Sequence, residues 1–434
     1  MSLLETDLPP DRQWIRIGDA YQVTRKPRKL ALPALVPFVP MERLPQGGGY
    51  DFAFEMRPSE RLTSGTYFEH GDVLVAKITP SFENGKRALA SNFPYEFGYA
   101  TTEIIPLKAI GDRDPRFLFY YLLHPDVSAF VAEKMEGATG RQRVPEHVLL
   151  DLAFPDVAEE SAIADVLELV RHAVDAEIAC LEHANKLKTA TMHELFTRGL
   201  RGEAQKESEI GLIPETWSVI ELGGLGRVGN GSTPKRGHAP YWEGGHYPWL
   251  TSAKVYDRDV IAADQFVTGV ALEECHLPRV RPGSILMAIT GQGKTLGHCA
   301  VLKIEATVNQ HIAYVSIEDQ EAANPSFVRG FLETQYEYLR QVGSGGGSTK
   351  GALTCGFLRS MKVPMPPDND RGRAEQLEIV AVLDAIDTKI AVHGKKRDAL
   401  EALFKSLLHK LMSGEIRVSD LDLSVLSKQS KDTV

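Results

Sequence analysis

Residues Glu160 to about Arg201 read as one unbroken helix, and the rest of the chain has to be arranged around it. Apolar residues at Ile163, Val166, Leu167, Val170, Val174, Ile178, Leu181, Leu187, Met192 and Leu195 recur mostly three or four apart, with no proline and no glycine before Gly199. At about 1.5 Å of rise per residue, a helix of about 40 residues spans on the order of 60 Å, more than one compact domain needs. Its stripe therefore needs a partner of similar length, and the chain supplies one. Ile379, Val382, Leu383, Ile386 and Ile390 repeat Ile163, Val166, Leu167, Val170 and Val174 at a period of 216 residues, and Leu403, Leu408 and Leu411 repeat Leu187, Met192 and Leu195. Both copies end in a basic, glycine-containing tail, Arg198-Gly199-Leu200-Arg201-Gly202 and Lys410-Leu411-Met412-Ser413-Gly414. So long a period marks a duplicated module. The expectation is an antiparallel coiled coil in which Ile163, Leu167, Val170, Val174 and Leu181 face Ile379, Leu383, Ile386, Ile390 and Leu403. The alternative is two unrelated amphipathic helices, each packed on its own domain.

The segments between the helices repeat in order as well. Gly71-Asp72-Val73-Leu74-Val75-Ala76-Lys77-Ile78 reads as a turn and a core strand, and Gly283-Ser284-Ile285-Leu286-Met287-Ala288-Ile289 repeats it. The opening around Trp14 is echoed by Ile213-Pro214-Glu215-Thr216-Trp217, and the helix start at Pro115 by Pro325. The loop Gly137 to Arg143 is echoed by Gly343 to Lys350, and the strand ending at Pro155 by the one ending at Pro364. These echoes predict an α+β chain with a pseudo-two-fold internal repeat. Its parts are a globular α/β domain over 1–157, a spacer helix over 158–205, a second globular α/β domain over 206–366, and a second spacer helix with the C-terminal tail over 367–434.

Composition excludes several classes. The first residues carry no basic stretch, and the apolar run from Ala31 to Pro40 is broken by Pro33, Pro37 and Pro40, so neither a signal peptide nor a membrane span is expected. The cysteines Cys180, Cys275, Cys299 and Cys355 lie far apart, which predicts no disulfide framework and no metal site; Cys275-His276 and His298-Cys299 are the nearest approach to a ligand pair. A cytoplasmic location fits. The net charge of −9 argues against coating nucleic acid indiscriminately, so any DNA-facing surface must come from local basic clusters.

Catalytic patterns are incomplete. Ala288 to Thr295, ending in Gly293-Lys294-Thr295, satisfies a loose P-loop pattern, but it runs into Leu296-Gly297-His298-Cys299-Ala300-Val301-Leu302, which reads as a strand where a P-loop opens a helix. A hairpin loop presenting Gln292, Lys294 and Thr295 is the better reading. Asn92-Phe93-Pro94-Tyr95 looks like an amino-methyltransferase signature with Phe in its second position and no glycine-rich cofactor loop before it. Pro367-Asp368 with Asp387-Thr388-Lys389 mimics a nuclease set, yet Asp387 and Lys389 fall two apart on a helix and diverge. No active site, metal or cofactor is expected on this chain.

Basic loops remain. Arg141, Gln142 and Arg143 carry side chains able to read guanine and adenine edges in the major groove. Lys77, Lys86 and Arg87 form a second cluster, and Lys235 and Arg236 a third. In Ser344 to Lys350, with Ser348, Thr349 and Lys350, glycines would permit close approach to a phosphate backbone. Each alone reads more readily as a solvated loop than as a DNA contact; their recurrence at equivalent places in both copies brings the two readings level.

In these features the chain resembles, over essentially its whole length, the specificity subunit of Type I restriction-modification enzymes. The resemblance is carried by Ile213 to Trp217, the Gly283 to Ile289 strand with Thr295-Leu296-Gly297 and Val308-Asn309-Gln310, the strand to Pro364, and the helix from Gln376 to Leu411. The first copy departs from it, with Glu83-Asn84-Gly85-Lys86 in place of Thr295-Leu296-Gly297, and Ala100-Thr101-Thr102 in place of Asn309-Gln310. The resemblance implies a non-catalytic chain with two target recognition domains, each reading half of a split asymmetric site on double-stranded DNA. It implies helices that dock two methylation subunits, with S-adenosylmethionine, ATP and Mg held by those and by restriction subunits. Two rival readings are a nucleotide-using P-loop enzyme and a helical scaffold that binds no DNA.

Overall fold

The computed structural model describes residues 3–62, 64–138, 140–291, 294–344 and 352–422. Chain contacts divide it into two compact units, residues 1–179 with 394–434, and residues 180–393. The dividing points fall inside two long helices, Glu160–Arg198 and Asp370–Ser413, so each unit holds half of each. Among the described residues no helix is long and apolar enough to cross a membrane.

The first unit is built on the strand Val73–Ala76, buried along its whole length. It sits between Ile104–Ala109 and Arg87–Leu89 in an antiparallel sheet that Tyr21–Val23 completes. Side chains alternate across a strand, and here both faces are covered. Val73 and Val75 join the core beneath the helices Pro115–Leu123 and Pro125–Glu133, while Leu74 and Ala76 join a core with Phe68 of a second sheet and with Phe93 of the loop before Phe97–Ala100. That is why the sequence there is a continuous apolar run rather than an alternating one. Gln13–Arg16 pairs antiparallel with Ala153–Asp156, which leads into the first long helix.

The second unit repeats the plan. Ile285–Ala288 is buried throughout, with Ile285 and Met287 in one core and Leu286 and Ala288 in another. Its neighbours are Ile312–Ile317 and Cys299–Leu302, both antiparallel, and Gly226–Asn230 extends the sheet. Ser218–Glu221 pairs with Lys362–Met365 as Gln13–Arg16 does with Ala153–Asp156. The hairpin Gln205–Ser208 and Gly211–Pro214 precedes it.

Within each unit the two helix halves run antiparallel. In the first, Ile163, Leu167 and Val170 share a core with Leu407, Leu408, Leu411 and Met412, and Glu177 meets Lys396 at 2.6 Å further along. The buried Arg12 ties the ends by donating to the Leu411 carbonyl at 2.6 Å and to Glu159 at 2.5 Å. In the second, Met192, Leu195 and Phe196 pack with Ile379 and Leu383, Lys188 meets Asp387 at 2.7 Å, and the Leu200 amide donates to Glu375 at 3.2 Å. Gly199 is required at that turn: its φ is +64°, and a Cβ would stand 2.9 Å from the Glu375 carboxylate.

The apolar stripe is narrower than its spacing suggests. Leu403 is 39% exposed and Leu187 57%, and Ile178 and Val382 are also exposed. Val174 is buried, whereas Leu181, Ile386 and Ile390 are only half-buried. Where a helix meets a single partner, only one seam is covered. Leu400, Leu407, Leu408 and Leu411 lie on that seam of the second helix and turn Leu403 outward, while Ala184 and Lys188 occupy it where Leu187 was expected.

Candidate nucleic-acid interface

The loop reading is carried by one arrangement that occurs in both units. In the first, the chain reverses between Glu136 and Arg143, which bond each other through both backbone pairs at 2.8 and 2.9 Å. Gly137 permits this reversal, with φ +127° and no room for a Cβ, which would lie 2.8 Å from the Arg141 carbonyl. The returning arm docks beside the core strand's extension: Ile78 bridges Arg143, the Thr79 amide donates to the Gln142 carbonyl at 3.0 Å, and the Val144 amide to that of Lys77 at 2.7 Å. In the second unit Thr290, placed two residues beyond its core strand as Ile78 is beyond Val73–Ala76, bridges Ala352, and the Leu353 amide donates to the Ile289 carbonyl at 2.8 Å. Gly343 anchors the outgoing arm by packing on Leu296, where a Cβ would stand 2.5 Å from the leucine side chain.

The basic side chains divide sharply by partner. Arg143 makes two hydrogen bonds with Glu103, through Nη2 at 2.7 Å and Nε at 2.9 Å. Glu103 is held below the ordinary carboxylate range first by that hydrogen bond and then by the charges of Arg143, Lys77 and Arg141, so the three cations and one carboxylate form a single patch. Arg141 is exposed, and Gln142 and Lys77 are half-buried. Lys86 donates to the Met41 carbonyl at 2.9 Å. Arg87 corrects the sequence reading. It is 1% exposed, stacked near Phe82, and donates only to the Ser128 hydroxyl at 3.4 Å, with Nε unpartnered. Burial pushes its pKa down to about 10. A side chain on a strand between Val75 and the helical layer is core regardless of its charge.

In the second unit Lys294 is exposed on the hairpin loop, its carbonyl accepting from the Tyr336 hydroxyl at 2.6 Å, and Thr295 Oγ1 lies 2.9 Å from the Tyr256 hydroxyl. His298 stacks between Tyr256 and Tyr336 beside them. Cys299–Leu302 follows as an antiparallel strand, not as the helix a phosphate-binding loop requires. Lys235 and Arg236 are exposed. Gln292, Ser348, Thr349 and Lys350 lie outside the described residues.

The remaining motifs are accounted for structurally. Asn92 donates to Asp51 at 2.9 Å, and Phe93 fills an aromatic cluster with Phe52, Phe54 and Phe68. Asp387 is bound up with Lys188 and Arg258, and Asp368 with Arg373. One cluster gave no signal in the sequence: His124, Asp126 and His409 bring potential ligand atoms within 4.8 Å of one another. His124 Nδ1 caps a helix by accepting from the Asp126 amide, which leaves Nε2 to carry the proton toward His409 Nδ1 at 3.2 Å.

Comparison with known proteins follows the same lines. Residues 214–402 match the family model described as the Type I restriction modification DNA specificity domain. A Methanocaldococcus jannaschii protein named as the MjaX type I restriction enzyme specificity subunit is 25% identical over 363 residues, covering 80% of this chain and 79% of its own length. The MjaIX specificity subunit of the same organism is 30% identical over 213 residues, 48% of this chain and 47% of the relative. The crystal structure of a Type I restriction-modification system S subunit from M. genitalium has the same fold, with a TM-score of 0.57 at 15% identity, covering 95% of this chain and 99% of that one.

Proposed function

We propose, from the match to the Type I restriction modification DNA specificity domain and the similarity to specificity subunits, that this chain is such a subunit and that each of its two units reads one half of a split, asymmetric DNA sequence. The observation that carries this reading is the loop returning to the same place beside the core strand in both units, at Ile78–Arg143 and at Thr290–Ala352, with different side chains on each. One scaffold bearing two sets of loop residues is what reading two different half-sites needs. Direct readout requires donors and acceptors on loops held by rigid elements, with nearby cations to hold phosphate. Arg141, Gln142 and Lys77 meet that description in the first unit, and Lys235, Arg236, Lys294 and Thr295 in the second.

In this reading the chain contributes recognition and no chemistry. The paired long helices act as the spacer between half-sites and as the dock for two methylation subunits. S-adenosylmethionine would be held by those partners, and ATP and Mg by restriction subunits. The acidic balance of the chain suits such protein contacts better than a continuous DNA-coating surface.

The test is methylation of a duplex library of split sites by this chain assembled with its methylation subunits. The expected result is a two-part motif in which Arg141→Ala alters one half only. Equal change in both halves would contradict separate readers, and no duplex binding at any salt would favour a scaffold. ATP hydrolysis by the purified chain that vanished in Lys294→Ala would favour the nucleotide enzyme, a reading the antiparallel strand after Thr295 opposes.

A further inference from the structure

The exposed cations of the second unit are not equivalent, and Arg236 is distinguished by how it is held. Its guanidinium carbon lies 4.1 Å from the ring centre of Trp242 and 4.7 Å from that of Trp249. The two indoles meet edge to face, with centroids 5.2 Å apart and planes at 87°. Each is fixed by the segment that carries the arginine: Trp242 Nε1 donates to the Lys235 carbonyl at 3.2 Å, and Trp249 Nε1 to that of Ser232 at 3.2 Å. Trp249 is 2% exposed and sits in a small core with Val267, Leu272 and Leu277. The start of the segment is pinned as well, since a Cβ on Gly231 would stand 1.7 Å from the Val308 carbonyl.

A guanidinium lodged against aromatic rings by cation–π attraction spends no N–H donor on that contact, so its donors remain available. Among the described residues no carboxylate forms an ion pair with Arg236, in contrast to Arg143, whose donors are engaged by Glu103. The adjacent Gln310 amide is committed, accepting from Thr233 Oγ1 at 2.5 Å and lying 3.2 Å from His311 Nε2. Among the described residues of this segment, the cation held in place by its neighbours and without an ion pair is therefore Arg236. A flexible lysine or a solvated arginine suits a phosphate, which accepts from many directions. A planar fork held in place between two fixed rings suits two acceptors lying in one plane, as O6 and N7 of guanine do.

We propose that Arg236 is a specificity-determining residue that reads a guanine in the half-site of the second unit, with Trp242 and Trp249 as positioning residues. This rests on the reading of DNA by that unit proposed above. The test uses the chain assembled with its methylation subunits on a randomised duplex library, with methylated products sequenced for the wild type, Arg236→Lys and Trp242→Leu. The wild type selects guanine at one position of one half. Arg236→Lys lowers discrimination there by about 5- to 150-fold, the range expected for one bidentate contact, and leaves the other half unchanged. Trp242→Leu produces a smaller loss at the same position. Retained guanine preference in Arg236→Lys, or an equal loss on every sequence with a shallower salt dependence, overturns the proposal in favour of no contact or a phosphate contact. Trp242→Leu with undiminished discrimination overturns the positioning role. A wild type that selects no sequence defeats the underlying reading instead, and the wild-type arm alone reveals it.

Discussion

Lys188 of the first long helix and Asp387 of the second stand 2.7 Å apart with each side chain 14% exposed, an ion pair set into the seam between the helices. The pair is the centre of a network. Lys188 also meets Glu333 at 2.5 Å, and Asp387 Oδ2 lies 3.3 Å from Arg258 and 3.9 Å from Arg329, electrostatically close without aligned hydrogen bonds. Arg258 reaches Asp384 as well. The helix pair is thereby tied to the helix Pro325–Thr334 and to the sheet edge at Arg258.

Removing the shared anion should therefore cost more than removing the whole pair. Asp387→Ala leaves Lys188, Arg258 and Arg329 with only Glu333 and Asp384 to balance them and is expected to destabilise this unit by up to about 3 kcal/mol, while Lys188→Met with Asp387→Leu costs less. Urea denaturation of the three proteins checks this. A double variant no more stable than the single one would show that the pair is not coupled.

Arg87 supplies a contrasting case. Because it is buried with no carboxylate partner among the described residues, Arg87→Met is expected to leave stability unchanged or raised. The salt dependence of DNA binding should also stay unchanged, since no phosphate contact is lost. A shallower salt slope in the variant would mean that the guanidinium reaches DNA after all.

Arg141 and Arg143 should differ although they are neighbours. Arg143 is engaged by Glu103, whereas Arg141 is exposed and senses that carboxylate only at a distance. Arg141→Ala is expected to weaken DNA binding and reduce its salt slope by about one ion if it contacts phosphate, or to relax one base position if it reads an edge. Glu103→Gln should then free Arg143 and tighten binding at low salt. Binding titrations over a range of salt separate these outcomes, and indifference to Arg141→Ala would remove it from the interface.

The pH dependence of the first unit should carry the mark of His124. Burial favours its neutral form and pushes its pKa down to about 4 from 6.5; the His409 charge acts in the same direction and Asp126 opposes it. Below pH 6.5 the unfolded chain gains a proton that the folded chain refuses. The stability His124 contributes is thus complete above pH 6.5 and is lost as pH falls toward 4. His124→Asn keeps an acceptor for the Asp126 amide and removes the titration. Melting temperatures across that window should fall less steeply in the variant, and identical slopes would refute the assignment.

Sequence alone determined the features that follow from local periodicity. The two long helices, the buried strands Val73–Ala76 and Ile285–Ala288, the hairpin after Ala288 and the loop from Gly137 to Arg143 were all legible. A strand or helix repeats its environment every two or 3.6 residues, so its pattern is written in adjacent positions. Partnership is not written there. Tertiary structure alone decided that Leu403 turns to solvent while Leu400 and Leu407 are covered, since that depends on the angle at which the other helix arrives. It decided that Arg87 is core, that Arg143 is held by Glu103, that Arg236 lies against two tryptophans, and that His124 meets His409 from the far end of the chain. In each case the side chain's role depends on the desolvation and charge created by residues distant in sequence, and no local pattern encodes those.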